Sequence, residues 1–174
     1  MKKQKKLEMY QLPIVAESAE NLVMGYLMRR NILTFKAPPK NEGYDLIAIH
    51  PDPKHIAKKA KFPLIRIQVK SRYATDCNKS FMVKEKSFKG FDYLIAVFLN
   101  IGKFGGKNNG SSGAKNIEFY TLPRKLIKKY HYKSGKWEKE TLHPYLKELE
   151  KYKDEAGFEL IAKALGVKKP QKTR

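Results

Sequence analysis

The pattern of apolar positions predicts a helix near the start of the chain. In IVAESAENLVMGYLMRRN, residues 14–31, apolar side chains recur at intervals of three and four, as on one face of an amphipathic helix. Positions 16, 20, 23 and 27 form one stripe, so Glu20 is expected within the buried face. A buried carboxylate needs a cation, a metal ion or strong hydrogen-bond donors. A salt bridge to Lys70 or Arg66 is the simplest structural interpretation of Glu20.

Five later runs of apolar residues are typical of β-strands. They are YDLIAIH at 44–50, PLIRIQVKS at 63–71, SFMVK at 80–84, DYLIAVFL at 92–99 and IEFYTLP at 117–123. The run at 92–99 is apolar enough for an interior strand. Residues 144–165 then carry two helical patterns, and Gly166 is a suitable end for the second.

Three connecting segments lack an apolar core pattern. PDPKHIAKKAKF, residues 51–62, is expected to be a basic loop or an extended hairpin, and the segment 100–116, with five glycines, a flexible surface loop. Residues 124–139 interleave basic residues with Tyr130, Tyr132 and Trp137. Within it, YHYKSGKWEK, residues 130–139, either stacks bases or clamps a nucleic acid backbone, or else forms two short strands joined by an SGK turn, and the sequence leaves both interpretations open.

These elements predict an α/β fold with a mixed four- to five-stranded sheet flanked by helices and a C-terminal helical layer. The length of 174 residues suits one domain, expected at 13–166, with its core at about 14–122 and accessory helices at about 123–166. Residues 1–12 are expected to be a basic flexible N-terminus, and residues 167–174 a basic tail.

The net charge of the chain indicates which class of partner it binds. Lysine and arginine number 37 against 17 aspartate and glutamate, which leaves +20 and favours binding to nucleic acid. A membrane is not expected as a partner, because no basic amphipathic helix and no run of roughly 20 apolar residues is present. The single cysteine, Cys77, and the lack of a signal-peptide pattern predict a cytoplasmic protein.

The strand predicted at 63–71 has two different faces. With a period of two, the apolar face carries Ile65, Ile67 and Val69, and the other face carries Leu64, Arg66, Gln68 and Lys70. A half-exposed antiparallel strand shows the same alternation. The polar face is therefore either a solvated surface or a site of chemistry.

Asp45 adds a second carboxylate where the strand predicted at 44–50 begins, although Asp is also common there as a turn residue. Glu20, Asp45 and the pair Gln68 and Lys70 can converge at one edge of the sheet. Carboxylate and amide oxygens suit a hard divalent cation such as Mg²⁺. A nearby lysine can orient or deprotonate water, so these residue types fit metal-assisted phosphodiester hydrolysis.

The succession of AENLVMGYL, GYDLIAI, IRIQVKS and DYLIAVFL resembles the core of the PD-(D/E)xK nuclease superfamily, whose fold is restriction-endonuclease-like. The resemblance covers roughly residues 14–100. It implies an endonuclease that hydrolyses DNA phosphodiester bonds with Mg²⁺ or Mn²⁺ as cofactor. The alternatives are a non-catalytic nucleic-acid-binding module with a nuclease-like fold and a basic protein associated with RNA or the ribosome.

The resemblance also implies roles for individual residues. Asp45 matches the first acid of the motif, Lys70 its lysine, and Glu20 the acid that many members carry on the first helix. Gln68 stands where most members have Asp or Glu, as in some homing endonucleases, and Tyr44 stands in place of a proline. The expected metal ligands are Asp45, Gln68 and the carbonyl of Val69, with Glu20 supporting the metal or its water and Lys70 positioning the nucleophile.

Contacts with nucleic acid, DNA in the first place, are expected from seven residues. These are Lys58, Lys59, Lys61, Ser71, Arg72, Lys133 and Lys136. Many members of the superfamily act as dimers on two strands, so a homodimer is one option that the residues themselves do not decide.

Overall fold

The computed structural model describes residues 11–39, 41–52, 54–55, 64–75, 78–102, 115–134 and 137–168. Most of the predicted N-terminal and C-terminal basic segments and most of the glycine-rich loop lie outside these residues, as do Lys58, Lys59, Lys61 and Lys136. No helix among the described residues is long and apolar enough to cross a membrane.

Helix α1, Gln11–Met28, confirms the first predicted helix and begins three residues earlier. Its fully buried stripe consists of Ala19, Val23 and Leu27, which follow one another at intervals of four. Ala16 is exposed and Glu20 is only partly buried. The prediction that positions 16 and 20 belong to the buried stripe was therefore wrong, because the buried face is rotated by part of a turn. Glu20 therefore lies at the margin of the helix face that packs on the sheet.

The main sheet has five strands in the order β1-β2-β3-β5-β6. They are β1, Leu33–Lys36; β2, Leu46–Ile49; β3, Leu64–Ala74; β5, Tyr93–Gly102; and β6, Glu118–Pro123. Neighbours are antiparallel except for β3 and β5, which pair in parallel. The predicted mixed sheet flanked by helices is thus confirmed, and β3 is its central strand. Strand β1 was not predicted.

A parallel pair needs a crossover connection, and here the crossover from β3 to β5 carries its own structure. It contains β4, Ser80–Met82, and a 3₁₀ helix, Glu85–Lys89. Strand β4 leaves the main sheet and pairs with β8, Trp137–Thr141, which pairs with β7, Tyr132–Ser134. This second sheet confirms the interpretation of two short strands in the segment that follows α2, Arg124–Tyr130.

Two apolar clusters cover the two faces of the main sheet. One lies under α1 and α4, Asp154–Leu165, and includes Ile67 and Phe158. The other lies under the second sheet, α2 and α3, Leu146–Leu149, and includes Phe88 and Tyr120. Short 3₁₀ turns, His143–Tyr145 and Glu150–Tyr152, flank α3. The left-handed residue Gly166, with φ of 75°, ends α4 as expected.

Candidate active site

The polar face of β3 is covered by protein in its central part. Gln68 is 8% exposed, because β2 and β5 flank its strand and the crossover lies over this face. Its Oε1 atom is buried and accepts no hydrogen bond from the described residues. A buried polar atom without a partner is costly, so Gln68 is poorly explained as part of a solvated strand face.

Arg66, two residues before Gln68, has a structural partner. Its guanidinium holds Asp92 through two nitrogens, Nε to Oδ2 at 3.1 Å and Nη2 to Oδ1 at 3.0 Å. Burial would raise the pKa of Asp92, but hydrogen bonds from the side chain and backbone N–H of Arg66 outweigh burial and lower it. Arg66 therefore ties β3 to the residue before β5 and does not neutralise Glu20.

Asp45 is joined to β3 on both sides of Gln68. Its backbone N–H donates to the carbonyl of Ile67 at 2.8 Å, and its carboxylate Oδ2 accepts the backbone N–H of Val69 at 2.6 Å. Burial raises the pKa of Asp45, while the bond from Val69 and the charge of Lys70 oppose that rise. The carboxylate is thus fixed in position beside the segment of β3 that carries Gln68 and Lys70.

Glu20 reaches the same region from α1. Burial and then the negative charge of Asp45 raise its pKa, and Lys36 opposes the increase. The Nζ of Lys36 lies 3.4 Å from Glu20 Oε2, and it also forms an ion pair with Glu17. The partner of Glu20 is therefore Lys36, from the strand that was not predicted, and the expected salt bridge to Lys70 or Arg66 was wrong.

The sites around these side chains form two adjoining recesses. Glu20, Asp45 and Lys36 line a groove of about 290 Å³. Gln68 and Lys70 line a separate cavity of about 560 Å³ beneath the crossover. The Asp45–Val69 hydrogen bond links a residue of the first recess to the strand segment that lines the second, since Val69 lies between Gln68 and Lys70 on β3. The four predicted residues are brought into one region but do not line a single pocket.

The donor atoms in this region suit a hard divalent cation. The pKa values of Glu20 and Asp45 are both raised, that of Glu20 in part by the charge of Asp45. A positive charge shared by the two would favour their ionised forms. The unpaired amide oxygen of Gln68, on the segment of β3 that holds Asp45 through Val69, is a further oxygen ligand of the kind such a cation prefers. Among the described residues no group of three or more His, Cys, Asp or Glu could hold a metal ion, so a cation would need the amide or backbone oxygens as well.

The predicted nucleic-acid contacts fall in three places. Ser71 and Arg72 continue β3 beyond Lys70 and are partly buried. Lys133 lies on β7 with its side chain 54% exposed, 3.5 Å from Glu85 and 3.8 Å from Glu138. The remaining predicted lysines lie outside the described residues.

Sequence reasoning missed four lysines in this region. Lys36 contacts Glu20, and Lys84, Lys86 and Lys89 line the cavity that contains Gln68 and Lys70. The only signal in the sequence was the repeated lysine in VKEKSFKG, next to a predicted strand. That signal does not show that the crossover folds back over β3, which is a matter of tertiary structure.

No protein-family model matches the chain, and no curated protein sequence matches it either. Among solved structures, the chain is similar to a bacterial homing endonuclease, I-Ssp6803I. The two superpose with a TM-score of 0.41 and 14% identical residues, over 71% of this chain and 80% of that one.

Proposed function

We propose that the protein is a metal-dependent endonuclease that hydrolyses phosphodiester bonds of DNA. The observation that carries the proposal is the hydrogen bond from the backbone N–H of Val69 to the carboxylate of Asp45. It fixes a partly buried acid against the two residues of β3 that a hydrolytic site of this kind needs, an oxygen donor at Gln68 and a cation at Lys70. The charge of +20 supports a polyanionic substrate.

Asp45 and Gln68 are the proposed metal ligands, with the Val69 carbonyl as a further oxygen, and Glu20 supports them from α1. A bound Mg²⁺ or Mn²⁺ would supply Lewis acidity toward a phosphoryl oxygen and lower the pKa of a bound water. Before a cation binds, burial disfavours the charged forms of Glu20 and Asp45, and the charge of Asp45 further disfavours that of Glu20. The protein thus holds two acids whose ionisation a divalent cation would favour.

Lys70 is the proposed positioning group for the attacking water. No carboxylate among the described residues lies within ion-pair distance of its ammonium group, although the charge of Lys70 acts on Asp45. A lysine that is not held by a structural ion pair is able to orient a water and to offset negative charge that develops on a phosphate. Its place two residues from Gln68 puts both on the same face of β3.

A specific observation favours a second candidate, a non-catalytic nucleic-acid-binding module. Gln68 brings no negative charge, and Glu20 is already partly neutralised by Lys36 at 3.4 Å. Fewer free carboxylates mean weaker attraction for a divalent cation. In this alternative the basic surface binds DNA and the site does not cut it.

Incubation of the full chain with supercoiled plasmid and Mg²⁺ or Mn²⁺ distinguishes the two candidates. The endonuclease nicks the plasmid, EDTA abolishes nicking, and Lys70→Ala and Asp45→Asn reduce the rate by about a hundredfold or more. Lys125→Ala is a matched control, because Lys125 is exposed on α2 and lines none of these recesses. Equal activity of wild type and Lys70→Ala would overturn the catalytic proposal.

A further inference from the structure

The cavity beside Gln68 and Lys70 has walls from two parts of the chain. Strand β3 forms one wall, and the crossover, from Met82 to Gly90, forms the opposite one. The loop before β2 closes one end with Glu42 and Gly43. Its volume of about 560 Å³ is enough to receive part of a nucleotide chain rather than a single water or ion.

Lysines dominate the charge of this cavity. Lys70, Lys84, Lys86 and Lys89 line it, against the single acid Glu42. In the described part of the chain, none of these four lysines has a carboxylate within ion-pair distance. Unpaired cations gathered around one recess repel one another, and an anion that enters the recess relieves that repulsion.

Some lysines elsewhere on the described surface have a carboxylate partner. Lys79 pairs with Glu118 at 2.5 Å and Lys153 with the same acid at 3.2 Å. The neighbouring acid Glu85 lies 3.5 Å from Lys133 and lines, with Lys84 and Lys86, a separate recess. What distinguishes the crossover lysines is therefore their place around one cavity together with Lys70, since other described lysines, such as Lys125 and Lys147, lack an ion pair too.

The backbone holds these lysines in place. Phe88 of the 3₁₀ helix is 6% exposed and packs in the second apolar cluster, so the lysines on either side of it face outward. Lys86 and Lys89 are three residues apart, which puts them on one side of a 3₁₀ helix. The hydroxyl and the N–H of Ser87 both donate to the carbonyl of Lys84, at 2.7 and 2.9 Å. The charges are thus presented by an ordered segment.

We propose that Lys84, Lys86 and Lys89 form a phosphate clamp that binds the backbone of the nucleic acid strand whose phosphodiester reaches Lys70. The inference deepens the proposed function and rests on it for the identity of the strand. Lysine acts as a point charge on phosphate oxygens and reads no base. The clamp therefore contributes affinity that does not depend on sequence and holds the strand over β3.

The test compares two triple variants of the full chain that lose the same charge. The clamp variant is Lys84→Gln, Lys86→Gln and Lys89→Gln; the control is Lys125→Gln, Lys147→Gln and Lys163→Gln, whose lysines are exposed and line none of the described recesses. Binding to a fluorescent duplex of mixed sequence is measured in EDTA over a series of salt concentrations. The binding constant falls as salt rises, so the slope of log K against log salt is negative. Each lost phosphate contact reduces the magnitude of this slope by roughly 0.9.

In the clamp variant, the magnitude of the slope of log K against log salt is expected to be smaller than in the wild type by roughly two to three. In the control it is expected to be smaller by less than about one. Replacement of the same three residues by arginine keeps the charge and restores binding, while circular dichroism verifies that each variant is folded. Equal slopes for the clamp variant and the control would overturn the inference. So would loss of binding that arginine fails to restore.

The outcomes for the clamp and for catalysis are separable. If the plasmid is nicked in a Lys70-dependent way but the slopes are equal, the endonuclease stands and the clamp is overturned. If the slopes differ but no nicking occurs, the clamp is supported as a nucleic-acid contact and the catalytic function fails. A smaller salt dependence in the clamp variant than in the control, together with Lys70-dependent nicking by the wild type, would support both.

Discussion

The backbones of Gly43 and Gly90 are in direct contact. A Cβ atom on Gly43 would lie 2.8 Å from the Cα of Gly90, and one on Gly90 would lie 2.7 Å from the Cα of Gly43. Gly43 also has a φ of 103°, a backbone conformation that residues other than glycine rarely adopt. The contact joins the loop that leads into Asp45 to the end of the crossover helix that carries the lysines.

Gly90→Ala is expected to lower the free energy of unfolding by about 1–3 kcal/mol, because the new methyl group meets backbone that cannot move aside as a side chain would. The φ of Gly90, −78°, suits alanine, so the cost is steric alone. Urea unfolding measures the change. Gly25→Ala in α1 is the matched control: a Cβ there meets nothing within 4 Å, and alanine in a helix should stabilise by roughly 0.5–1 kcal/mol. A neutral Gly90→Ala would show that the two segments are not held together.

Gln68→Glu is expected to strengthen the response to Mg²⁺. A carboxylate at this buried position should destabilise the protein in EDTA by about 1–3 kcal/mol, and a bound cation should offset that cost. Thermal unfolding with and without Mg²⁺ measures the effect, and plasmid nicking should reach half its maximal rate at a lower Mg²⁺ concentration.

Gln68→Leu is the control for this experiment, because it fills similar space without an oxygen donor. Its unfolding temperature should respond less to Mg²⁺ than that of the wild type. If Mg²⁺ shifts wild type, Gln68→Glu and Gln68→Leu equally, position 68 is not part of a cation site.

The pH dependence of nicking should report the raised pKa values of Glu20 and Asp45. Only ionised carboxylates bind a cation well, and burial raises both pKa values above the ordinary 4.5 and 3.8. Activity at subsaturating Mg²⁺ therefore falls as the pH decreases, and the decline begins at a higher pH than for ordinary carboxylates. With two ionisations the limiting slope of log rate against pH approaches about two, and Glu20→Gln reduces it to about one. An unchanged slope in Glu20→Gln would remove Glu20 from the site.

A buried acid in the second sheet should make stability depend on pH. Glu140 is fully buried, its Oε1 lies 2.9 Å from His131 Nδ1, and burial raises its pKa to about 8. The folded state therefore keeps a proton between about pH 4.5 and 8 that an unfolded glutamate has released. Since the folded state binds more protons, the free energy of unfolding falls as the pH rises, by at most about 1.4 kcal/mol per unit.

Glu140→Gln is expected to remove this slope, as chemical denaturation across that pH range would show. Glu148→Gln is the control: a hydrogen bond from Tyr130 lowers the pKa of this exposed acid, so it does not titrate within the range. A slope that persists in Glu140→Gln would assign the pH dependence to other groups.

The sequence was sufficient for the elements with clear periodicity. Helix α1 and strands β2, β3, β5 and β6 follow from runs of apolar residues whose spacing matches one kind of structure. Strand β1 was missed because its four residues, LTFK, alternate too briefly to stand out. β4 was recognised as a strand, but local pattern does not reveal that it joins a different sheet.

The candidate site was predictable in part for the same reason. Asp45 directly precedes β2, and Gln68 and Lys70 lie on the adjacent strand β3, so the apolar patterns of the two strands were enough to suggest their proximity. The partner of Glu20 comes from the unrecognised β1. The helix stripe was misplaced because a spacing of four, three and four fits position 20 almost as well as position 19. The lysines of the crossover reach β3 only through tertiary contacts between residues distant in sequence.

Because β3 and β5 pair in parallel, the lysines of the crossover and the polar residues of β3 lie on separate parts of the chain. The chain must travel from one end of the sheet to the other between these strands, whatever residues line the route. The clamp lysines lie on this crossover connection, whereas Gln68 and Lys70 lie on β3 itself. Under the proposed function, substitution of these lysines changes the affinity for a polyanion without changing a residue of the main sheet.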